Sequence, residues 1–327
     1  MKIYDCFPFN GELDLLKLRL DLYHNIVDYH IIIESEVDFK GNSKPLRMPK
    51  EILKNHPNIR YKILKKKYFK VDDPWYREFE TRNACRNELF DAVDEDIIFI
   101  SDIDEIISPD KIKNASQKII LYELAWHIFS LNYVSLNVTW KHPVSFPFFL
   151  LKKYTINDLR LIRKNNYYKK VTEVYFEMRS AGSHFSYFPK QYSKNDNFIS
   201  SLYSEIKNKV NNFPSNYVSS PYGKFQITEK YFSLLFYFGV DHLGNKHIWG
   251  KCKEPLKHFH EKDKKTINRY LNGTNLHCLF NFQSTLFPFN FVLKTEGYYW
   301  RFTSKLVLIY SSLIRKFVLP FLLIFKK

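Results

Sequence analysis

Apolar residues in the first hundred positions fall in short runs that alternate with stretches of helical spacing, and this alternation predicts a parallel sheet. Residues 3–7 read as a first strand. Asn10-Gly11-Glu12 then introduces a helix with Leu13, Leu16, Leu20 and Tyr23 on one stripe. Residues 30–34 and 60–64 read as a second and a third strand, and a long helical pattern between Trp75 and Asp91 carries Arg77, Glu78, Arg82 and Arg86. That pattern feeds Ile97-Ile98-Phe99-Ile100, an apolar run that ends abruptly in Ser101-Asp102-Ile103-Asp104-Glu105. Its length suits a buried parallel strand, so Asp102 and Asp104 are expected at its carboxyl end, where open α/β sheets bind ligands. Side chains two apart on an extended chain share a face. The two carboxylates therefore repel unless a cation or an arginine lies between them, and a hard divalent ion suits the place.

Downstream the pattern changes. Aromatic and β-branched residues dominate positions 119–151 and predict antiparallel strands, and a further strand pair is predicted over 173–188. That region includes Ser180-Ala181-Gly182-Ser183-His184-Phe185-Ser186, whose small residues would let backbone approach a ligand closely. Residues 253–265 read as a charged surface loop or linker. The mostly apolar tail at 306–325 carries Arg315 and Lys316 at its middle and Pro320 beyond, which predicts a segment lying in a membrane interface rather than spanning it. The resulting division is a catalytic domain over 1–250, a charged extension over 251–304 and the tail over 305–327.

Composition narrows the classes. Among 327 residues, 45% are hydrophobic and 18% aromatic, which excludes a disordered chain. Fifty Lys and Arg against 34 Asp and Glu give +16, favouring nucleotide diphosphates, anionic lipid or acidic glycans, with no aromatic signature for nucleic acid. Cys6, Cys85, Cys252 and Cys278 show no paired spacing, so neither a zinc knuckle nor a disulfide framework is expected. The run beginning at Met1 enters a strand without an apolar leader, and the expected location is cytoplasmic.

Several phrases together resemble glycosyltransferase family 17, the family of β-1,4-mannosyl-glycoprotein β-1,4-N-acetylglucosaminyltransferase. They are Ile3-Tyr4-Asp5-Cys6-Phe7, Asn10-Gly11-Glu12-Leu13-Asp14-Leu15-Leu16 with Arg19-Leu20, Glu34-Ser35 with Phe39-Lys40-Gly41, and Lys44-Pro45-Leu46. Trp75-Tyr76-Arg77-Glu78, Arg82-Asn83, Asp102-Ile103-Asp104-Glu105 and residues 181–186 follow in order. The chain departs at Ser183, where the family commonly has Trp, and the pattern is not traceable after about residue 190. The resemblance implies a GT-A type nucleotide-sugar-binding fold: an α/β architecture with a central, mostly parallel sheet, helices on both faces and a small antiparallel extension. It further implies a nucleotide-sugar donor such as UDP-N-acetylglucosamine, a divalent metal (Mn²⁺ or Mg²⁺) and inversion at the anomeric carbon.

Within that reading Asp104 is the first choice for a metal ligand, Asp102 is a second ligand or a ribose contact, and His184 suits manganese. Arg77 and Arg82 can take phosphate oxygens in a bidentate fork, and Glu34 can accept from uracil or ribose. An inverting transfer needs a base to take the acceptor proton, and Glu173, Glu177 and, more weakly, Asp241 are candidates, while Glu105 is expected to reach the donor sugar or to hold a group that does. His258 and His260 would share a face on a strand, a weak metal signal. The acceptor is a glycan or lipid-linked glycan, with an anionic membrane surface as a possible partner. Two rivals use the same features: a metal-dependent nucleotidyltransferase or phosphohydrolase working through the same acids, and a non-catalytic basic protein that binds polyanions.

Overall fold

The computed structural model describes residues 1–38, 41–128, 131, 133–135, 138–164, 171–186, 249–251 and 254–271. These residues fall in two compact units. The first comprises Met1–Ala125, Trp140–His184 and Leu256–Leu271. In it, strand β1 (Ile3–Phe9), helix α1 (Leu13–Tyr23), β2 (Tyr29–Ser35), α2 (Lys50–Asn55), β3 (Ile59–Leu64), α3 (Pro74–Asn83) and β4 (Ile97–Ile100) alternate as predicted. β1 pairs in parallel with both β2 and β4, and β2 with β3.

Then come β5 (Glu105–Ile107), α4 (Pro109–Lys113), β6 (Ile119–Ile128), β7 (Tyr133–Ser135), β8 (Val144–Pro147), α5 (Ile156–Arg160), β9 (Tyr175–Ser186), β10 (Trp249–Lys251) and α6 (Glu261–Leu271). β8 runs antiparallel to β4 and to the start of β6, so β4 sits where the parallel core meets the antiparallel extension expected over 119–151. Spatial order in this unit is β6-β8-β4-β1-β2-β3. Strands are added outward on one side of β1 and then on the other. The carboxyl edge between β1 and β4 is therefore the switch point at which such sheets open a crevice.

The sheet buries two different faces. Tyr4, Cys6, Ile31, Ile33, Ile98 and Ile100 pack with Ala84, Cys85, Leu89, Leu151, Ile156 and Leu159 in one apolar cluster. Each buried Ile or Leu in it contributes about 1.5–3 kcal/mol by leaving water. On the opposite face Asp5, Phe7 and His30 meet α1, whose Arg19 guanidinium lies 4.4 Å from the Phe7 ring centroid. Helices thus cover both faces.

Three expectations are corrected. The helix predicted between Trp75 and Asp91 stops at Asn83 and passes into a 3₁₀ turn, Ala84–Glu88, whose Ala84 and Cys85 are buried in the core. The predicted strand pair over 173–188 is, among the described residues, one strand, β9, paired antiparallel to β5. The loop expected over 253–265 contains the start of α6, which packs on α1 through Tyr270 and Arg269 to Asp21. Asp241 and the tail at 305–327 lie outside the described residues, as do Cys252 and Cys278.

In the second unit the described backbone forms antiparallel pairs, His127 opposite Val134 and β10 along β7. The imidazole of His127 there contacts the Leu131 carbonyl at 2.8 Å.

Candidate functional site

The turn at residues 101–105 leaves β4 at the switch point, and its shape is set by buried arginines. Arg19 reaches up from α1 and donates to the carbonyls of Asp102 (3.0 Å) and Glu105 (3.3 Å) while pairing with Asp5 and donating to the Ser101 hydroxyl. The Glu105 carboxylate closes the turn by accepting from the Asp102 amide at 2.6 Å.

Two more guanidiniums converge on Asp102. α3 starts sharply because Asp73 caps it, accepting from the Tyr76 amide, and Pro74 takes its first position; this start places Arg82 one helix length away. Arg82 donates to both Asp102 oxygens at 2.8 and 3.0 Å and to Glu78 at 2.7 Å. α5 starts with a capping box of Thr155 and Asp158 and ends on Arg160, which donates to Asp102 at 2.8 Å and to both Glu105 oxygens at 2.9 and 3.0 Å. Burial by itself would raise the Asp102 carboxyl, but the charges of Arg160 and then Arg82 outweigh it and hold the group well below the usual carboxylate range. Asp102 is a permanent anion with its counterions built in.

Asp104 is held differently. The register of β9 on β5 sets His184 opposite Glu105, which brings the His184 Nε2 to 3.3 Å from an Asp104 oxygen. That approach requires Gly182, because a Cβ there would lie 2.1 Å from the Ile106 carbonyl oxygen. The small residues of this segment thus admit a neighbouring strand, and the expectation that they admit a ligand is corrected for Gly182. Trp140 completes the site. Its indole stacks on the His184 ring, with centroids 4.2 Å apart and planes at 27°, and its Nε1–H donates to Glu105. The Asp104 side chain keeps 24% of its surface in water and that of Asp102 27%, against 0% for Glu105.

The remaining expected residues are placed elsewhere or engaged otherwise. Glu34 is buried and accepts from the amides of Arg47 and Met48 and from the Tyr61 hydroxyl, so it pins the chain that follows β2. Arg77 is buried beside Gly41 and pairs at 2.7 Å with Asp72, whose side chain is 93% exposed. Glu173 bonds Lys153 and Tyr154, and Glu177 faces Lys141 and Arg163. Six residues of β9 separate Glu177 from His184. His258 and His260 lie in the turn before α6 and not on a strand; His260 bonds Asp110, and burial lowers the His258 pKa. Arg160 and Trp140 were not singled out from the sequence, and Arg19 had no role beyond its place in a matching phrase.

The profile of glycosyltransferase family 17 matches residues 1–202, more than half of the chain. The chain belongs to glycosyltransferase family 17. As a glycosyltransferase it takes a nucleotide-sugar donor and a glycan acceptor. No curated protein matches it. Among solved structures it is similar to a 2-C-methyl-D-erythritol 4-phosphate cytidylyltransferase of Francisella tularensis, at 14% identity over 64% of this chain and 99% of that one, with a TM-score of 0.32. A likeness that low carries no argument about the family 17 site. Among the described residues no helix is long and apolar enough to cross a membrane.

Proposed function

We propose that this family 17 enzyme is a metal-dependent, inverting transferase that moves N-acetylglucosamine or a related sugar from a UDP-sugar to a glycan or lipid-linked glycan. The observation carrying this reading is the Asp104–His184 pair, partly open to water, beside an Asp102 already neutralised by two arginines. Among the described residues no three His, Cys, Asp or Glu converge to hold an ion unaided. One carboxylate and one imidazole nonetheless suit Mn²⁺ or Mg²⁺ where diphosphate oxygens and water complete the shell. When bound, such an ion offsets the charge that grows on the departing diphosphate. Asp104 and His184 would hold it. Asp102, with both oxygens taken by guanidiniums, fits a positioning role for Arg82 and Arg160 better than direct ligation.

Glu105 also fits a positioning role, since Arg160, Trp140 and the Asp102 amide occupy its oxygens. Arg77 is a donor-phosphate candidate, because an incoming phosphate can replace the exposed Asp72 as its partner. The test is Asp104→Asn, which keeps shape and removes charge. UDP release coupled to sugar incorporation should fall about a thousandfold, about 4 kcal/mol of barrier, with Mn²⁺ binding by calorimetry lost and the melting temperature unchanged. Wild-type rates that persist in a chelator, or a variant that binds Mn²⁺ normally, overturn the metal reading.

A further inference from the structure

Residues 65–71, just past β3, hold four lysines in six positions, and Lys65, Lys66, Lys67 and Lys70 are all exposed. None of the four makes a side-chain ion pair among the described residues, unlike Lys62, Lys152 and Lys153, which face Glu88, Asp94 and Glu173. The nearest acids in the chain are engaged elsewhere, Asp72 with Arg77 and Asp73 with the cap of α3. The segment is nevertheless fixed. Tyr68 and Phe69 turn inward against the apolar core with ring centroids 5.6 Å apart, and their amides donate to the carbonyls of Lys65 and Lys66. Val71 is left 52% exposed at the end of the run. A second exposed apolar residue, Leu46 at 41%, lies on the chain between β2 and α2, which the Lys44 amide to Glu36 and the Glu36 amide to Leu64 tie to the end of β3.

We propose that this basic, apolar-tipped rim docks the enzyme on an anionic lipid bilayer. Ammonium groups on flexible stems, unpaired and held on a rigid base beside exposed Val71 and Leu46, suit a surface of lipid phosphates with an apolar layer beneath. Orientation supports the choice. β1 to β4 run parallel, so the rim and the turn at 101–105 share one sheet edge, with three strand spacings, about 15 Å, between β3 and β4. A lipid-linked acceptor would then be presented on the side from which the donor is approached. This orientation rests on the proposed site, whereas the docking does not.

The full chain is tested by sedimentation with vesicles of phosphatidylcholine alone and of phosphatidylcholine with phosphatidylglycerol. The wild type should bind the anionic vesicles and be released by salt, and K65Q/K66Q/K67Q/K70Q should bind them about a hundredfold more weakly. Its donor KM and its turnover of a soluble acceptor should stay unchanged. If the fourfold variant melts early, K66Q/K67Q replaces it, with about tenfold weaker binding expected. Wild-type indifference to lipid charge overturns the proposal, and so does variant binding equal to wild type. A raised donor KM with vesicle binding intact also overturns it, assigning the lysines to the nucleotide. Absent UDP release in the wild type would instead sink the transferase chemistry and leave the docking result standing.

Discussion

Two arginine–carboxylate clusters stand on the same sheet, one sealed and one half open. At Asp5, Arg19 and His30 fill a pocket under α1 in which all three residues are almost fully buried. At Asp102, Arg82 and Arg160 each pair at 2.8 Å, but about a quarter of the Asp102 side chain reaches water, with Asp104 and His184 alongside. Charges buried on all sides rarely add net stability over apolar packing, yet removing one partner is costly. The sealed cluster therefore fixes geometry. Arg19 links the two by holding the carbonyls of Asp102 and Glu105 from below, so the open cluster inherits its rigidity from the closed one.

The largest effect should come from breaking that link. Arg19→Met leaves Asp5 buried without its guanidinium and strips donors from the turn at 101–105, and should cost about 3–5 kcal/mol in chemical denaturation. Arg82→Met removes a partner only from Asp102 and Glu78, whose side chains keep 27% and 31% of their surface in water, so it should cost clearly less stability while lowering transfer. Equal losses of stability in the two variants would erase the distinction between the clusters.

Acid should test the sealed cluster next. Burial alone would raise the Asp5 carboxyl, but the charge and hydrogen bonds of Arg19, joined by His30, hold it at about 2. A folded value below the ordinary 3.8 stabilises the fold above pH 4, and the contribution disappears as pH falls from about 4 through 2. Its full size is about 2 kcal/mol. Wild-type stability should therefore decline more steeply across that window than that of Asp5→Asn. Parallel slopes would show that Asp5 is not the group responsible.

How much of this was readable in advance follows from where each signal lives. β1, α1, β2, β3 and β4 announce themselves because apolar run lengths and a single helical stripe are local properties, and the acids of 102–105 stand out because they end such a run. The end of α3 was missed because no Gly or Pro marks it in the sequence. Arg82 was legible on its helix. Arg160 and Trp140 were not, since Arg160 reaches the turn from α5 and Trp140 from a bridge to Leu124, across 35 to 58 residues of chain that no local pattern spans. The same holds for Gly182, whose reason is a close approach to Ile106.

The smallest expected effect is also the most discriminating. Trp140→Phe trims the indole to a phenyl ring that still offers an aromatic face to His184 and deletes the N–H that reaches Glu105, so the fold should hold while the ring loses its tether to the turn. Outer partners of a ligand commonly tune metal affinity by 10–100-fold, and the loss of one hydrogen bond with the stack retained places the expectation at about tenfold weaker Mn²⁺ binding by calorimetry. Tyr23→Phe is the counterpart near the sealed cluster. The Tyr23 hydroxyl donates to the Ile107 carbonyl and accepts from the Ile107 amide, so its removal should cost about 1 kcal/mol of stability and leave Mn²⁺ affinity unchanged. Should Trp140→Phe bind the ion as tightly as wild type, stacking alone would set the imidazole, and Glu105 would belong with the buried framework rather than with the open site.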